Sequence, residues 1–140
     1  MTQDSIVYGR IKDVYQFSND AERRRTNRLA MLTLPENEDW ACISRDMFSI
    51  PAVKRGQEGY QSEVIHFGAS YSAIEYEWKN WMKHFEGLLK KMYWTSATVH
   101  LETAFHGTHT FQWRAEELFH DPDQPWQGVQ SEWEHEALRY

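Results

Sequence analysis

The chain of 140 residues has the length of one domain (residues 1–140) and can bury a single substantial core. Its 41% hydrophobic content, with seven tryptophans, seven tyrosines and seven phenylalanines, excludes a disordered chain. Because 21 acidic side chains face 15 basic ones, the formal charge of −6 argues against binding to nucleic acid. The lone Cys42 fits a reducing, cytoplasmic location. Neither a secretion signal nor about 20 consecutive apolar residues is visible, so we expect no membrane association.

The N-terminal half predicts strands and one short helix. Residues 5–17 alternate between apolar and polar side chains, with Asp13 as the exception, which predicts a strand at a sheet edge. Residues 20–32 predict a short helix, with an irregular loop as the competing interpretation. Short strands are expected at 40–44 and 60–69, on either side of a glycine-containing loop. Four side chains of the helix are expected to face solvent: Arg23, Arg24, Arg25 and Arg28.

An amphipathic helix over residues 72–92 is the clearest prediction. Ser72 and Glu75 have the spacing of a capping box, and Lys90 and Lys91 lie where the helix dipole favours cations. The apolar side chains recur every three or four residues and indicate a helix lying on a core. They are Ile74, Trp78, Trp81, Met82, Phe85, Leu88, Leu89 and Met92.

Residues 96–114 predict a β-hairpin that follows this helix. A two-residue loop would place the apolar side chains of its strands on opposite faces, whereas a three-residue loop at 107–109 places them on one face. We therefore expect the longer loop, with Thr103 opposite Trp113. The elements together predict an α+β fold, a mainly antiparallel twisted sheet packed on one long helix. The first helix and the tail would partly cover the other face.

The tail, residues 121–140, begins as a turn-rich linker and then predicts a short acidic helix over 129–140. Val129, Trp133 and Ala137 would form its apolar stripe, which favours a docked tail slightly over an interaction arm. Tryptophans among acidic side chains also suit a protein–protein hot spot. The candidate partner-binding residues are Trp126, Glu132, Trp133 and Glu134.

Histidines suggest a second kind of site. His106 and His109 form an H-x-x-H pair that His120 and Asp121 could complete, but no H-E-x-x-H or C-x-x-C pattern is present. Ordinary surface histidines are therefore the favoured interpretation, and no metal, cofactor or catalytic residue is assigned. A pocket between helix and sheet is the alternative. It would be lined by His66, His100, Glu102, His106 and His109.

The segment from Ala69 to Lys83 (ASYSAIEYEWKNWMK), followed by a hairpin, is similar in style to immunity proteins of bacterial polymorphic toxins, including those of contact-dependent inhibition and type VI secretion. The resemblance covers about the central third of the chain and assigns no residue roles. It implies a cytosolic protein that binds a toxin domain stoichiometrically. The alternative function is a small enzyme or ligand-binding domain using the histidine pocket. A homodimer could form through an edge strand at 5–17 or 109–114.

Overall fold

A computed structural model describes residues 4–14, 20–35, 43–49, 62–116, 118–123, 126 and 129–136. Within these ranges six strands form one sheet in the order β2-β3-β1-β4-β5-β6, and every neighbouring pair is antiparallel. The predicted α+β class with an antiparallel sheet is confirmed. The elements are β1 (Asp4–Val14), α1 (Asp20–Leu32), β2 (Phe48–Ser49), β3 (Ser62–Ser72), α2 (Trp78–Leu89), β4 (Ser96–Thr103), β5 (Gly107–Ala115) and β6 (Val129–Glu136).

The core lies between α2 and one face of the sheet. Alternate residues of the central strands are buried on this face, as the two-residue period of a strand requires. The Phe85 ring of α2 lies 5.3 Å from that of Trp81 and 5.1 Å from that of Trp113 on β5. The Trp81 indole, fully buried, donates a hydrogen bond to the Tyr71 hydroxyl at 3.2 Å. Aromatic packing therefore fixes α2 against the sheet.

The predicted helix over 72–92 is wrong in length. A 3₁₀ turn occupies Ile74–Glu77 and α2 spans only 12 residues, so it is not a single long helix beside the 13-residue α1. Ser72 instead ends β3, paired with Asp4 of β1, and Ala73 takes the left-handed φ of 53°. Glu75 accepts a hydrogen bond from the Ser5 hydroxyl at 2.9 Å. Sheet pairing thus overrides the local capping pattern.

Helix α1 has the predicted bounds, but one of its arginines is not in solvent. Arg23 is 3% exposed and forms a two-pronged ion pair with Asp13 of β1, with Nε 3.0 Å from Oδ2. Its guanidinium carbon also lies 4.1 Å from the centre of the Phe119 ring. Asp13 therefore breaks the apolar alternation of β1 because its charge is paired beneath α1. Since Asp13 shares the face of Val7 and Ile11, α1 lies on the same side as α2, and its predicted place on the other face is wrong.

The hairpin forms with an odd loop, but not where it was predicted. Residues 104–106 make the turn, Thr103 pairs with Gly107, and Trp113 lies opposite Ala97. The Thr103 hydroxyl accepts from the His106 amide at 2.8 Å, and Gly107 adopts a φ of 81° that suits glycine. The apolar side chains still share one face, as expected, because both registers keep the same parity.

The tail corrects two further predictions. Residues 129–136 form strand β6, which pairs with β5, and not a helix. In this pair Trp133 lies opposite Phe111, so the aromatic side chain is used in a cross-strand contact. Residues 5–14 and 109–114 lie inside the sheet, and the edge strands of the described sheet are β2 and β6. Of the strand predicted at 40–44, residues 40–42 lie outside the described ranges, and the strand found nearby is β2. Residues 137–140, Cys42 and the 54–59 loop also lie outside them. In the described part of the chain, no helix has the length and apolar character needed to cross a bilayer.

Candidate functional site

A groove of about 540 Å³ lies between the start of α2 and the strands β4, β5 and β6. Apolar side chains form most of its wall, and three histidines and one carboxylate border it. We call it the aromatic–histidine groove. Its lining residues are Glu75, Trp78, Leu101, His106, His109, Phe111, Trp133 and His135.

Sheet register brings these side chains together. Leu101, His109 and His135 lie in one cross-strand row, and Phe111 and Trp133 lie in the next row on the same face. The ring centres are 4.3 Å apart for His109 and His135, and 6.2 Å apart for Phe111 and Trp133, with both pairs stacked. The groove is therefore a direct product of the two-residue period on three adjacent strands.

Helix α2 and the hairpin turn close two sides of the groove. Trp78 begins α2, and its ring lies 5.3 Å from the Phe111 ring and 4.8 Å from the Trp81 ring. His106 lies in the β4–β5 turn, where its backbone carbonyl accepts a hydrogen bond from His135 Nε2. This bond ties the turn to β6 and holds the His135 ring against His109.

The surroundings of His109 in the groove disfavour its protonation. Burial lowers the pKa of His109, and the neighbouring His135 and His106 lower it further, while Glu75 acts in the opposite direction. The groove therefore presents an aromatic surface with hydrogen-bonding edges, in which the stacking of His109 on His135 disfavours a positive charge on His109.

The histidine pocket predicted from sequence is divided between the two faces of the sheet. His106 and His109 line the groove together with Trp133. His66, His100 and Glu102 point to the opposite face, which we call the open face, where the Tyr8 hydroxyl donates to Glu102 at 3.0 Å. The five residues therefore do not form one pocket.

The open face has its own polar contacts. The ring centres of Tyr8 and His100 are 4.8 Å apart, and His100 Nδ1 lies 2.9 Å from the Thr110 hydroxyl. Burial and the adjacent Glu102 carboxylate raise the pKa of Tyr8, whereas burial lowers the pKa of His100. These groups lie on a strand surface and carry no catalytic assignment.

The four candidate partner-binding residues do not lie on one surface either. Trp133 is 61% exposed on β6 at the rim of the groove, while Glu132 and Glu134 are exposed on the open face of the same strand. Trp126 is half-buried elsewhere, with its ring 6.1 Å from that of Trp94 and 5.9 Å from that of His120. Trp126 therefore contributes to packing of the domain.

The H-x-x-H metal interpretation, which the sequence did not favour, would need His120 close to His106 and His109. His120 is buried beside Trp94, and its Nδ1 lies 2.9 Å from the Met92 carbonyl, whereas His106 and His109 line the groove. Across the ranges that the structure describes, no group of three or more histidine, cysteine or acidic side chains could hold a metal ion.

Sequence reasoning missed five of the eight lining residues of the groove. Glu75 was assigned to a cap, Trp78 to the core stripe of a helix, and His135 to a helical tail. Leu101 and Phe111 were assigned only to the apolar face of the hairpin. A two-residue alternation of Ser131, Trp133 and His135 was the available signal. The chain matches no protein-family model, no curated protein and no solved structure.

Proposed function

We propose that this protein is a cytosolic, stoichiometric binding protein that recognises a protein partner, and that it is an immunity protein for a bacterial toxin domain. One observation carries the proposal: Trp133 is 61% exposed on the terminal strand of the described sheet, at the rim of the aromatic–histidine groove. Tryptophan is the side chain most enriched at the energetic centres of protein interfaces.

The surroundings of Trp133 support this proposal. Phe111 and Trp78 extend its aromatic surface into a concave groove, so a partner side chain could be covered on several sides. The formal charge of −6 favours basic partners. The resemblance of residues 69–83 to immunity proteins favours a toxin domain as the partner. Binding there would neutralise a toxin by covering its active site or by blocking a required motion.

The test combines gene neighbourhood with co-expression. We expect a gene for a large secreted toxin beside this one, and we expect co-expression to restore growth to cells that make its toxin domain. Trp133→Ala should weaken binding by about 2 kcal/mol, close to 30-fold in Kd. Leu118→Ala is the control. This side chain is 75% exposed and follows the end of β5, whereas the groove residues His109 and Phe111 lie nearer the start of that strand. The proposal would be contradicted if the gene lies in a metabolic operon and no partner protein co-purifies with this protein.

A second function, binding of a small ligand, has one specific observation in its favour. The groove volume of about 540 Å³ falls in the range of small-molecule sites, and Glu75, His106 and His109 offer polar contacts there. Native mass spectrometry of protein purified from its own host separates the two functions. A bound molecule that is lost in Phe111→Ala would favour the ligand-binding function, and an empty protein would favour the immunity function.

A further inference from the structure

Strand β6 presents an edge and two chemically different faces. It is the terminal strand of the described sheet, and residues 130–136 are all exposed. A terminal strand offers one row of backbone donors and acceptors for pairing with another chain. Trp133 and His135 point toward the groove, whereas Glu132 and Glu134 point to the open face. A segment added at this edge would therefore meet an aromatic surface on one side and carboxylates on the other.

No basic side chain of β5 lies directly opposite Glu132 or Glu134, and the diagonal Arg114 donates instead to the Gln112 side-chain oxygen at 3.0 Å. Glu132 lies opposite Gln112, and Glu134 lies opposite Thr110. Opposite charges placed directly across an antiparallel pair stabilise it. A strand that pairs on the outer side of β6 can therefore place basic side chains directly opposite Glu132 and Glu134, where β5 has none.

The same charges disfavour pairing of β6 with a second copy of this chain. Two antiparallel copies that continue one sheet and are centred on Trp133 place Glu132 of each strand opposite Glu134 of the other. Shifting the centre by one residue places Glu132 or Glu134 opposite itself. Like charges in directly opposed positions destabilise a strand pair, and charged side chains on edge strands commonly prevent self-association. A homodimer through this edge is therefore disfavoured.

We infer that β6 binds an extended segment of its partner in which basic side chains alternate with apolar or aromatic ones. The segment adds a seventh strand beside β6. Its basic side chains face Glu132 and Glu134, and its apolar side chains cover Trp133 and enter the groove. This inference rests on the proposed binding function and specifies the chemistry of the partner.

The test uses a capped peptide of about nine residues that alternates lysine with valine or tyrosine. Its matched control replaces each lysine with glutamate. NMR titration of ¹⁵N-labelled protein, up to about 1 mM peptide, maps the site and measures Kd. We expect shifts concentrated on β6 and β5, and about tenfold tighter binding of the lysine peptide. Two further lysine peptides carry N-methyl groups on alternate backbone nitrogens, one at the odd positions and the other at the even positions. Because only one of these two sets of amides faces β6 when the peptide pairs with it, one of the two peptides should lose binding.

Protein variants test the charge contribution. The double variant E132Q/E134Q should lose most of the preference for lysine over glutamate. The control E22Q/D46N removes the same amount of charge from exposed positions in α1 and the 45–47 turn and should keep that preference. The inference is wrong if the lysine peptide does not bind, binds away from β6, or binds no better than the glutamate peptide. The inference is also wrong if sedimentation shows that the wild-type protein is a homodimer and that E132Q/E134Q leaves this homodimer unchanged.

The two proposals fail in different ways. If the protein protects cells from a toxin and E132Q/E134Q protects equally well, the partner chemistry proposed for β6 is wrong while the immunity function stands. If the lysine peptide pairs with β6 but the protein protects against no toxin, the immunity function fails and the edge-pairing inference stands.

Discussion

Replacing Gly9 with alanine should strongly destabilise the protein, because no space exists for one more carbon atom. Gly9 lies in β1, paired with Phe67 of β3 on one side and Val99 of β4 on the other. A Cβ there would lie 2.0 Å from the Thr98 carbonyl oxygen and 2.7 Å from Cζ of Phe67. The first obstacle is backbone in a paired strand, so it cannot move aside without loss of sheet hydrogen bonds. Overpacking typically costs about 1–3 kcal/mol, and the clash with backbone places Gly9→Ala at about 3 kcal/mol, the upper end of that range.

Urea unfolding measures this loss, and two other glycines provide controls. Gly68→Ala makes the same change in the neighbouring strand, where the new Cβ meets the Cβ of Tyr8 at an ordinary 3.7 Å. We expect its free energy of unfolding to stay within about 0.5 kcal/mol of wild type. Gly87→Ala meets nothing within 4 Å in α2 and should stabilise the protein by roughly 1 kcal/mol. A Gly9→Ala protein with the wild-type urea midpoint would refute the steric reasoning.

Three further predictions concern the tail, the groove and the buried ion pair. Because Trp133 is 61% exposed, Trp133→Ala should lower the free energy of unfolding by only about 1 kcal/mol, and a loss above about 3 kcal/mol in thermal melts would contradict its assignment to a binding surface. Burial lowers the pKa of His109 in the folded state, so the stability contributed by its neutral ring is complete above about pH 6.5 and is lost as pH falls through the folded-state pKa. In His109→Gln, the free energy of unfolding in urea should therefore change less between about pH 7 and 5 than it does in wild type. Asp13→Asn leaves the buried Arg23 charge without its carboxylate and should cost about 3 kcal/mol in urea unfolding, whereas a cost near zero would refute the importance of the pair.

Local patterns predicted some elements well and others poorly. The bounds of α1 followed from the cap-forming residues at 18–20 and from Pro35, and the common face of the hairpin strands followed from the alternation of their apolar side chains. The β6 segment was misassigned because Val129 and Trp133 fit a helical spacing, while the competing alternation of Trp133 and His135 has meaning only beside β5. Arg23 was misplaced because its buried position depends on Asp13, ten residues earlier on another element. Tertiary partners decided these cases, and a local pattern does not contain them.

The candidate site shows the same division. His106, His109 and Trp133 could each be singled out as side chains able to recognise a partner. Their meeting in one groove depends on the order of strands β4, β5 and β6, which sequence spacing does not reveal. His100 and Glu102 had equal appeal in sequence, yet they lie on the other face because their positions have the opposite parity on β4.

The central position of β1 has a consequence for biosynthesis. Among the described strands β1 is synthesised before β3 and β4, which flank it, so it cannot acquire both neighbours until translation has passed Thr103. Until then, Val7 and Ile11 expose apolar side chains that the finished sheet buries. Such long-range pairing slows folding and exposes nascent chains to aggregation. The pairing of β1 with both of its neighbours is therefore a late step, which follows the synthesis of β3 and β4.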